Sequence, residues 1–155
     1  MTKPLIALYQ PDIPGNTGAI LRLGACFGLG IHIIGPAGFD MTDRSLKRAG
    51  MDYIEMAALT RHDGWEEFEI WRATEKRRLV LMTTQSATPY TDDSDQTITA
   101  QDVVLFGRES AGVPPKVHHA ADARLTIPMA EGRRSLNLAM SVAIIAGEIT
   151  RRFGL

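Results

Sequence analysis

The segment Leu5-Ile6-Ala7-Leu8-Tyr9-Gln10-Pro11-Asp12-Ile13-Pro14-Gly15-Asn16-Thr17-Gly18-Ala19-Ile20-Leu21-Arg22-Leu23-Gly24-Ala25-Cys26-Phe27-Gly28 contains three signals in immediate succession. A short apolar run reads as a buried strand, and two prolines and two glycines then fix a tight turn. Ile20, Leu23 and Phe27 follow at helical spacing, with Gly28 where a C-terminal capping glycine belongs. Asn16 or Thr17 is placed to cap this helix, whose free amides offer an anion site. Arg22, about 200° around the helix from Ile20, points away from the apolar stripe.

Strand-like apolar runs alternate with helical patterns along the rest of the chain. Leu5–Tyr9, Ile31–Ile34, Arg78–Met82 and residues 103–106 and 125–127 read as strands, with a weaker candidate at 53–56. Helical patterns fall at about 17–27, 43–49, 63–74, 114–121 and 137–152. Nearly continuous apolar runs suit strands buried on both faces, and the alternation predicts an α/β fold with a mostly parallel sheet flanked by helices. No internal repeat or linker divides it, so residues 1–155 are expected to form one domain. Residues 83–99, rich in Ser, Thr, Asp and Pro, read as a surface loop.

The chain has 155 residues, 17 Lys and Arg against 18 Asp and Glu, and a net charge of −1. That balance argues against a nonspecific polycation or a polybasic membrane patch, but not against a local basic site. Asp92, Asp93, Asp95 and Asp102 fall in one segment without Lys or Arg, leaving 17 basic against 14 acidic residues elsewhere. The basic residues gather at 44–48, 72–78 and 133–134. The longest uncharged stretch, residues 135–147, is too short for a bilayer span of about 20 residues. One cysteine, Cys26, allows no internal disulfide, and the N-terminus lacks the basic and apolar regions of a signal peptide. A cytoplasmic, non-membrane protein is therefore expected.

Several familiar motifs fail on inspection. Gly28 and Gly30 precede a strand instead of following one, and Ile33 occupies the third glycine of a dinucleotide loop. Gly107 and Gly112 have P-loop spacing, but Val113 replaces the phosphate-binding lysine. Adjacent helical histidines His118 and His119 point about 100° apart and lack further ligands, so no metal site is expected. Cys26 has no evident base and reads as a small buried core residue.

Three loops remain, each just after a strand, where ligands bind in open α/β sheets. The first is residues 11–18. The second is Gly107-Arg108-Glu109-Ser110-Ala111-Gly112-Val113-Pro114, in which the glycines permit close backbone approach and Glu109 occupies the turn. The third is Pro128-Met129-Ala130-Glu131-Gly132-Arg133-Arg134-Ser135-Leu136-Asn137, whose Ser135 and Asn137 can cap the last helix. That helix is apolar nearly all round from Leu138 to Ile145 apart from Ser141, which fits burial in the core or at a homodimer interface.

Together these segments resemble the motifs of the SPOUT class of RNA methyltransferases, most closely its small TrmL-like (YibK-like) branch. The likeness runs from Leu5 to Arg152. It rests on Ile13-Pro14-Gly15-Asn16-Thr17-Gly18-Ala19-Ile20-Leu21-Arg22-Leu23, Leu105-Phe106-Gly107-Arg108-Glu109-Ser110-Ala111-Gly112-Val113-Pro114, and Ile127-Pro128-Met129 with Arg134-Ser135-Leu136-Asn137-Leu138-Ala139. Arg48-Ala49-Gly50-Met51-Asp52-Tyr53 extends it. Arg108 departs from the small residue or proline often found there and is assigned no side-chain role.

The resemblance implies a C-terminal deep trefoil knot, S-adenosyl-L-methionine as cofactor, and a homodimer formed through the C-terminal helix. It implies 2′-O-methylation of the wobble nucleotide, cytidine or uridine 34, in tRNA, with leucine tRNAs as expected substrates. Carried onto this chain, the cofactor lies among Met82, Thr83, Gly107, Ile127, Met129, Ser135 and Leu136. Arg22, Glu109, Ser135 and Asn137 match the catalytic positions; Asn16, Arg22, Arg48, Arg133 and Arg134 are the expected RNA contacts. The alternatives are another tRNA position, ribosomal RNA, or a knotted RNA-binding module without activity.

Overall fold

The computed structural model describes residues 2–132 and 136–155. Six strands form one parallel sheet: β1 (Leu5–Tyr9), β2 (Ile31–Ile34), β3 (Leu59–His62), β4 (Arg78–Met82), β5 (Asp102–Phe106) and β6 (Ala123–Leu125). Their order across the sheet is β3-β2-β1-β5-β4-β6. The chain moves outward from β1 through β2 to β3, crosses to β4, and then inserts β5 between β4 and β1. That reversal creates a crevice at the carboxyl ends of β1, β5 and β4, the usual ligand position in such sheets.

Strand alternation divides the core into two layers. Ile6, Leu8, Val80, Val104 and Phe106 face α1 (Pro14–Phe27) and α6 (Leu138–Phe153), where Ile20, Leu21, Val142, Ile145 and Ile149 are buried against them. Ala7, Tyr9, Leu79, Leu81, Val103 and Leu105 face α4 (Trp65–Thr74) and α5 (Pro115–Ala120), which contribute Trp65, Phe68 and Val117. His32, only 6% exposed, lies on the second side with its ring 4.4 Å from that of Trp71. Its Nδ1 is 2.8 Å from Nε2 of His62 on the edge strand. Burial is the main cause that pushes His32 down to about 4, followed by the neighbouring His62 and Arg77.

Four local expectations change. Cys26, expected in the core, is exposed on α1. Residues 53–56 are not a strand; they belong to α3 (Tyr53–Ala57), next after α2 (Asp43–Arg48). Asp52 Oδ1 accepts from the Glu55 amide at 2.8 Å and Glu55 Oε2 from the Asp52 amide at 3.3 Å, a reciprocal capping box that outweighs the strand propensity of Tyr-Ile. The strand at this edge is β3, whose polar Thr60, Arg61 and His62 concealed it. The last strand begins at Ala123, not Leu125, because Asp122 pins its start to β4 through Leu79. Beyond it, Thr126 donates from its amide to Thr88 at 2.8 Å and accepts from Tyr90 at 2.9 Å, tying the C-terminal segment to the long loop after β4.

Candidate active site

The carboxyl ends of β1, β4, β5 and β6 open on a cavity of about 810 Å³. Met82, Thr83, Gly107, Ile127, Met129 and Leu136, expected at a cofactor, all line it, as do Asn16, Glu109 and Asn137. Arg133, Arg134 and Ser135 lie outside the described residues.

The loop after β5 is folded back on itself. Arg108 and Gly112 exchange backbone hydrogen bonds of 2.9 and 3.0 Å, and Gly112 has a positive φ of 64°. A Cβ on Gly107 would stand 2.7 Å from Cα and C of Gly112, so only glycine allows this closure. Apolar side chains also line the cavity: Met129 and Leu136 are 37% and 41% exposed, high for large apolar side chains. Flat apolar contact beside backbone that can approach closely suits an adenosine-like group.

Glu109 joins this loop to the first one. Its Oε1 accepts from the Asp12 amide at 3.1 Å, and its Oε2 accepts from the Ile13 amide at 3.2 Å and Asn16 Nδ2 at 3.3 Å. The helix starts at Pro14 with Ile13 as its N-cap, so neither Asn16 nor Thr17 caps it. A carboxylate from about 96 residues away satisfies these amides and sits favourably at the positive end of the helix dipole. Beside it, Ser110 donates to Asp12, the main reason that carboxyl is held below its usual range.

The third loop joins through Asn137. Its Oδ1 accepts from the amides of Ala139 and Met140 at 2.8 and 3.3 Å, capping α6, while Nδ2 donates to Asn16 Oδ1 at 3.1 Å. Asn137, Asn16 and Glu109 thus form one hydrogen-bonded chain at the cavity rim. Arg108 is also engaged, donating from Nη1 to Gln10 at 3.3 Å, a side-chain contact the sequence did not suggest.

Arg22 stands apart from this chain and does not line the cavity. It lies farther along α1, its side chain 66% exposed, and donates from Nε to Glu55 Oε1 at 3.0 Å. Arg48 is exposed at the end of α2. Glu55 was not among the expected site residues; its signal was the Asp-x-x-Glu spacing at 52–55. His118 and His119 also reach the cavity wall. Among the described residues no group of three His, Cys, Asp or Glu is arranged to hold a metal, and no helix is long and apolar enough to cross a membrane.

Comparison with known proteins adds independent findings. A profile of the SpoU rRNA Methylase family matches residues 3–147. A tRNA (cytidine(34)-2′-O)-methyltransferase of Ancylobacter novellus is 52% identical over 149 residues, covering 96% of this chain and 92% of the relative. A solved structure described as giving structural insights into the 2-OH methylation of C/U34 on tRNA superposes with a TM-score of 0.82 at 34% identity, over 98% of this chain and 91% of the other. An AdoMet-bound rRNA methyltransferase from Sinorhizobium meliloti superposes with a TM-score of 0.81 at 29% identity, over 97% of this chain and 57% of that one.

Proposed function

The chain belongs to the SpoU rRNA methylase family, and we infer that it methylates the ribose 2′-hydroxyl of the wobble nucleotide, cytidine or uridine 34, in tRNA with S-adenosyl-L-methionine as donor. The observation that carries this reading is the convergence of three loops, distant in sequence, on one cavity at the sheet's reversal point. Relatives that carry this activity match nearly the whole chain.

When bound, S-adenosyl-L-methionine supplies a methyl group already activated on a sulfonium. The chain's own task is to hold the reactants in line and assist loss of the hydroxyl proton. Met82, Thr83, Gly107, Ile127, Met129 and Leu136 would hold the adenosine end, together with Ser135. Glu109 and Asn137 fix the loops around it through the bonds described above. Arg22 is a poor proton acceptor, since a guanidinium is already protonated and has no acceptor lone pair to offer. Its role is to bind a substrate phosphate and stabilise the oxygen that becomes anionic as the proton leaves. Asn16 and Arg48, with Arg133 and Arg134, complete the RNA contacts.

The reading includes a homodimer, a C-terminal knot and a cytoplasmic location. Support for the dimer comes from α6, where Met140, 63% exposed, shares an open face with Ala143 and Gly147. Support for the knot comes from the bonds between Thr126 and the loop at Thr88 and Tyr90.

The test is transfer of a labelled methyl group to total tRNA, followed by mapping of the modified nucleotide. Label on the 2′-oxygen of nucleotide 34 is expected. Label elsewhere in tRNA, or only in ribosomal RNA, would overturn the substrate assignment.

A further inference from the structure

Glu55 is a carboxylate outside the three loops, with its side chain only 7% exposed. Its two oxygens have separate partners. Oε2 completes the capping box with the Asp52 amide at 3.3 Å, whereas Oε1 accepts from Arg22 Nε at 3.0 Å. A capping box needs only the first of these, so the second demands its own account. A buried carboxylate requires a compensating cation, and Arg22 supplies it from a different helix.

The geometry of the pair is informative. Glu55 engages Arg22 at Nε, the inner nitrogen of the guanidinium. Among the described residues no hydrogen bond is made by the two terminal Nη groups, and the side chain remains 66% exposed. An unrestrained arginine on a helix surface would sample many rotamers and lose that freedom on meeting its ligand. Held at Nε, the planar fork is already oriented, and its outer donors match an anionic oxygen or a phosphate.

We propose that Glu55 is a positioning residue for the reaction: it clamps Arg22 at Nε so that the Nη donors are presented to an anionic oxygen of the RNA substrate. This rests on the reading of Arg22 given above. The relevant oxygen is a backbone phosphate next to the target nucleotide or the 2′-oxygen as its proton leaves. Glu55 itself, buried and directed at Arg22 and α3, touches neither.

The test compares single-turnover methyl transfer in Glu55→Gln, Asp52→Ala and Arg22→Ala with the wild type. Glu55→Gln is expected to lower the rate by about 10- to 100-fold while the affinity for S-adenosyl-L-methionine changes by less than about threefold. Asp52→Ala removes the other half of the capping box but leaves Glu55 Oε1 on Arg22; its rate should stay within about threefold of wild type. An equal loss in Asp52→Ala and Glu55→Gln would mean that Glu55 merely folds α3, and would overturn the proposal. Arg22→Ala separates the two levels of inference. If it retains the wild-type rate, the reading of Arg22 falls. If it is inactive while Glu55→Gln is fully active, only the clamp falls. A measurement on the wild type covers the case in which Glu55→Gln does not fold. The Arg22 Nε–H should give an NMR signal protected from solvent exchange before RNA is added, and a freely exchanging signal would refute the clamp.

Discussion

Replacing Gly107 by alanine tests the geometry of the cavity wall most directly. The added Cβ would lie 2.7 Å from both Cα and C of Gly112 and 3.1 Å from its oxygen. Carbon atoms pack at about 3.5–4.0 Å, so the overlap approaches 1 Å. The obstacle is backbone held by the reciprocal bonds between Arg108 and Gly112, not the end of a mobile side chain. The loop must therefore open, at a cost of about 1–3 kcal/mol. For a chain of 155 residues each kcal/mol shifts Tm by about 2–4 °C, so a fall of about 2–12 °C is expected. Because the displaced backbone forms the cavity wall, affinity for S-adenosyl-L-methionine should fall by about tenfold, which corresponds to about 1.4 kcal/mol. Gly112→Ala is the matched comparison. Its Cβ would meet nothing within 4 Å, but its φ of 64° imposes left-handed strain of about 1–2 kcal/mol. Thermal melting and calorimetry on both variants give the result. Cofactor binding by Gly107→Ala at wild-type affinity, or a greater loss of affinity in Gly112→Ala, would refute the steric argument.

Glu109→Gln should destabilise the protein by about 1–3 kcal/mol in urea unfolding, because an amide offers one acceptor oxygen where three donors converge and turns an N–H group toward them; an unchanged midpoint would exclude this role. His32 titrates at about 4 in the folded chain and at about 6.5 when unfolded, so the unfolded state binds the extra proton between these values. Its contribution is complete above about pH 6.5 and is lost as pH falls toward 4, by about 3 kcal/mol in total. His32→Phe should flatten that part of the stability profile, and parallel wild-type and variant curves would contradict it. Gly147→Glu should leave the fold of a protomer intact, since a Cβ there meets nothing within 4 Å, yet convert a dimer to a monomer in sedimentation. A variant that sediments as the wild type does would remove α6 from the interface.

The α/β class was legible because β1, β2 and β4 are apolar runs with sharp turn signals, and local sequence determines such elements. Strand order was not legible. Inserting β5 between β1 and β4 is decided by which faces pack, and residues 83–99 carry no sign of it. The candidate cavity was largely readable, since six of the residues expected at the cofactor line it, with Asn16, Glu109 and Asn137 beside them. What sequence concealed were bonds between distant segments. Asn16 and Thr17 looked like helix caps because capping is ordinarily local, yet Glu109 satisfies the amides before α1 from the loop after β5. Glu55 was hidden for a different reason. Tyr53-Ile54-Glu55-Met56 has strand-like residues, and the capping box that makes it helical pairs Glu55 with Asp52, just outside that run.

The polar residues assigned to the reaction divide into Glu109 and Asn137, at the cavity and committed within the fold, and Arg22, outside it, whose outer donors remain available. Glu109 accepts three bonds from N–H donors, so both its oxygens are occupied within the fold. In the proposed reading it holds the loops around the cofactor. Asn137 is committed likewise, with its oxygen on the start of α6 and its amide on Asn16. Arg22 differs, since among the described residues its Nε is engaged by Glu55 while its outer donors make no hydrogen bond. Such a division suits methyl transfer. A donor that already carries an activated methyl group needs a rigid enclosure, and a network with its hydrogen bonds satisfied provides one without reorganising. The RNA must arrive and leave, so the group that meets it has to be exposed yet held in one orientation. Pairing through Nε reconciles those two requirements, because it restrains the guanidinium without occupying the face that recognises an anion.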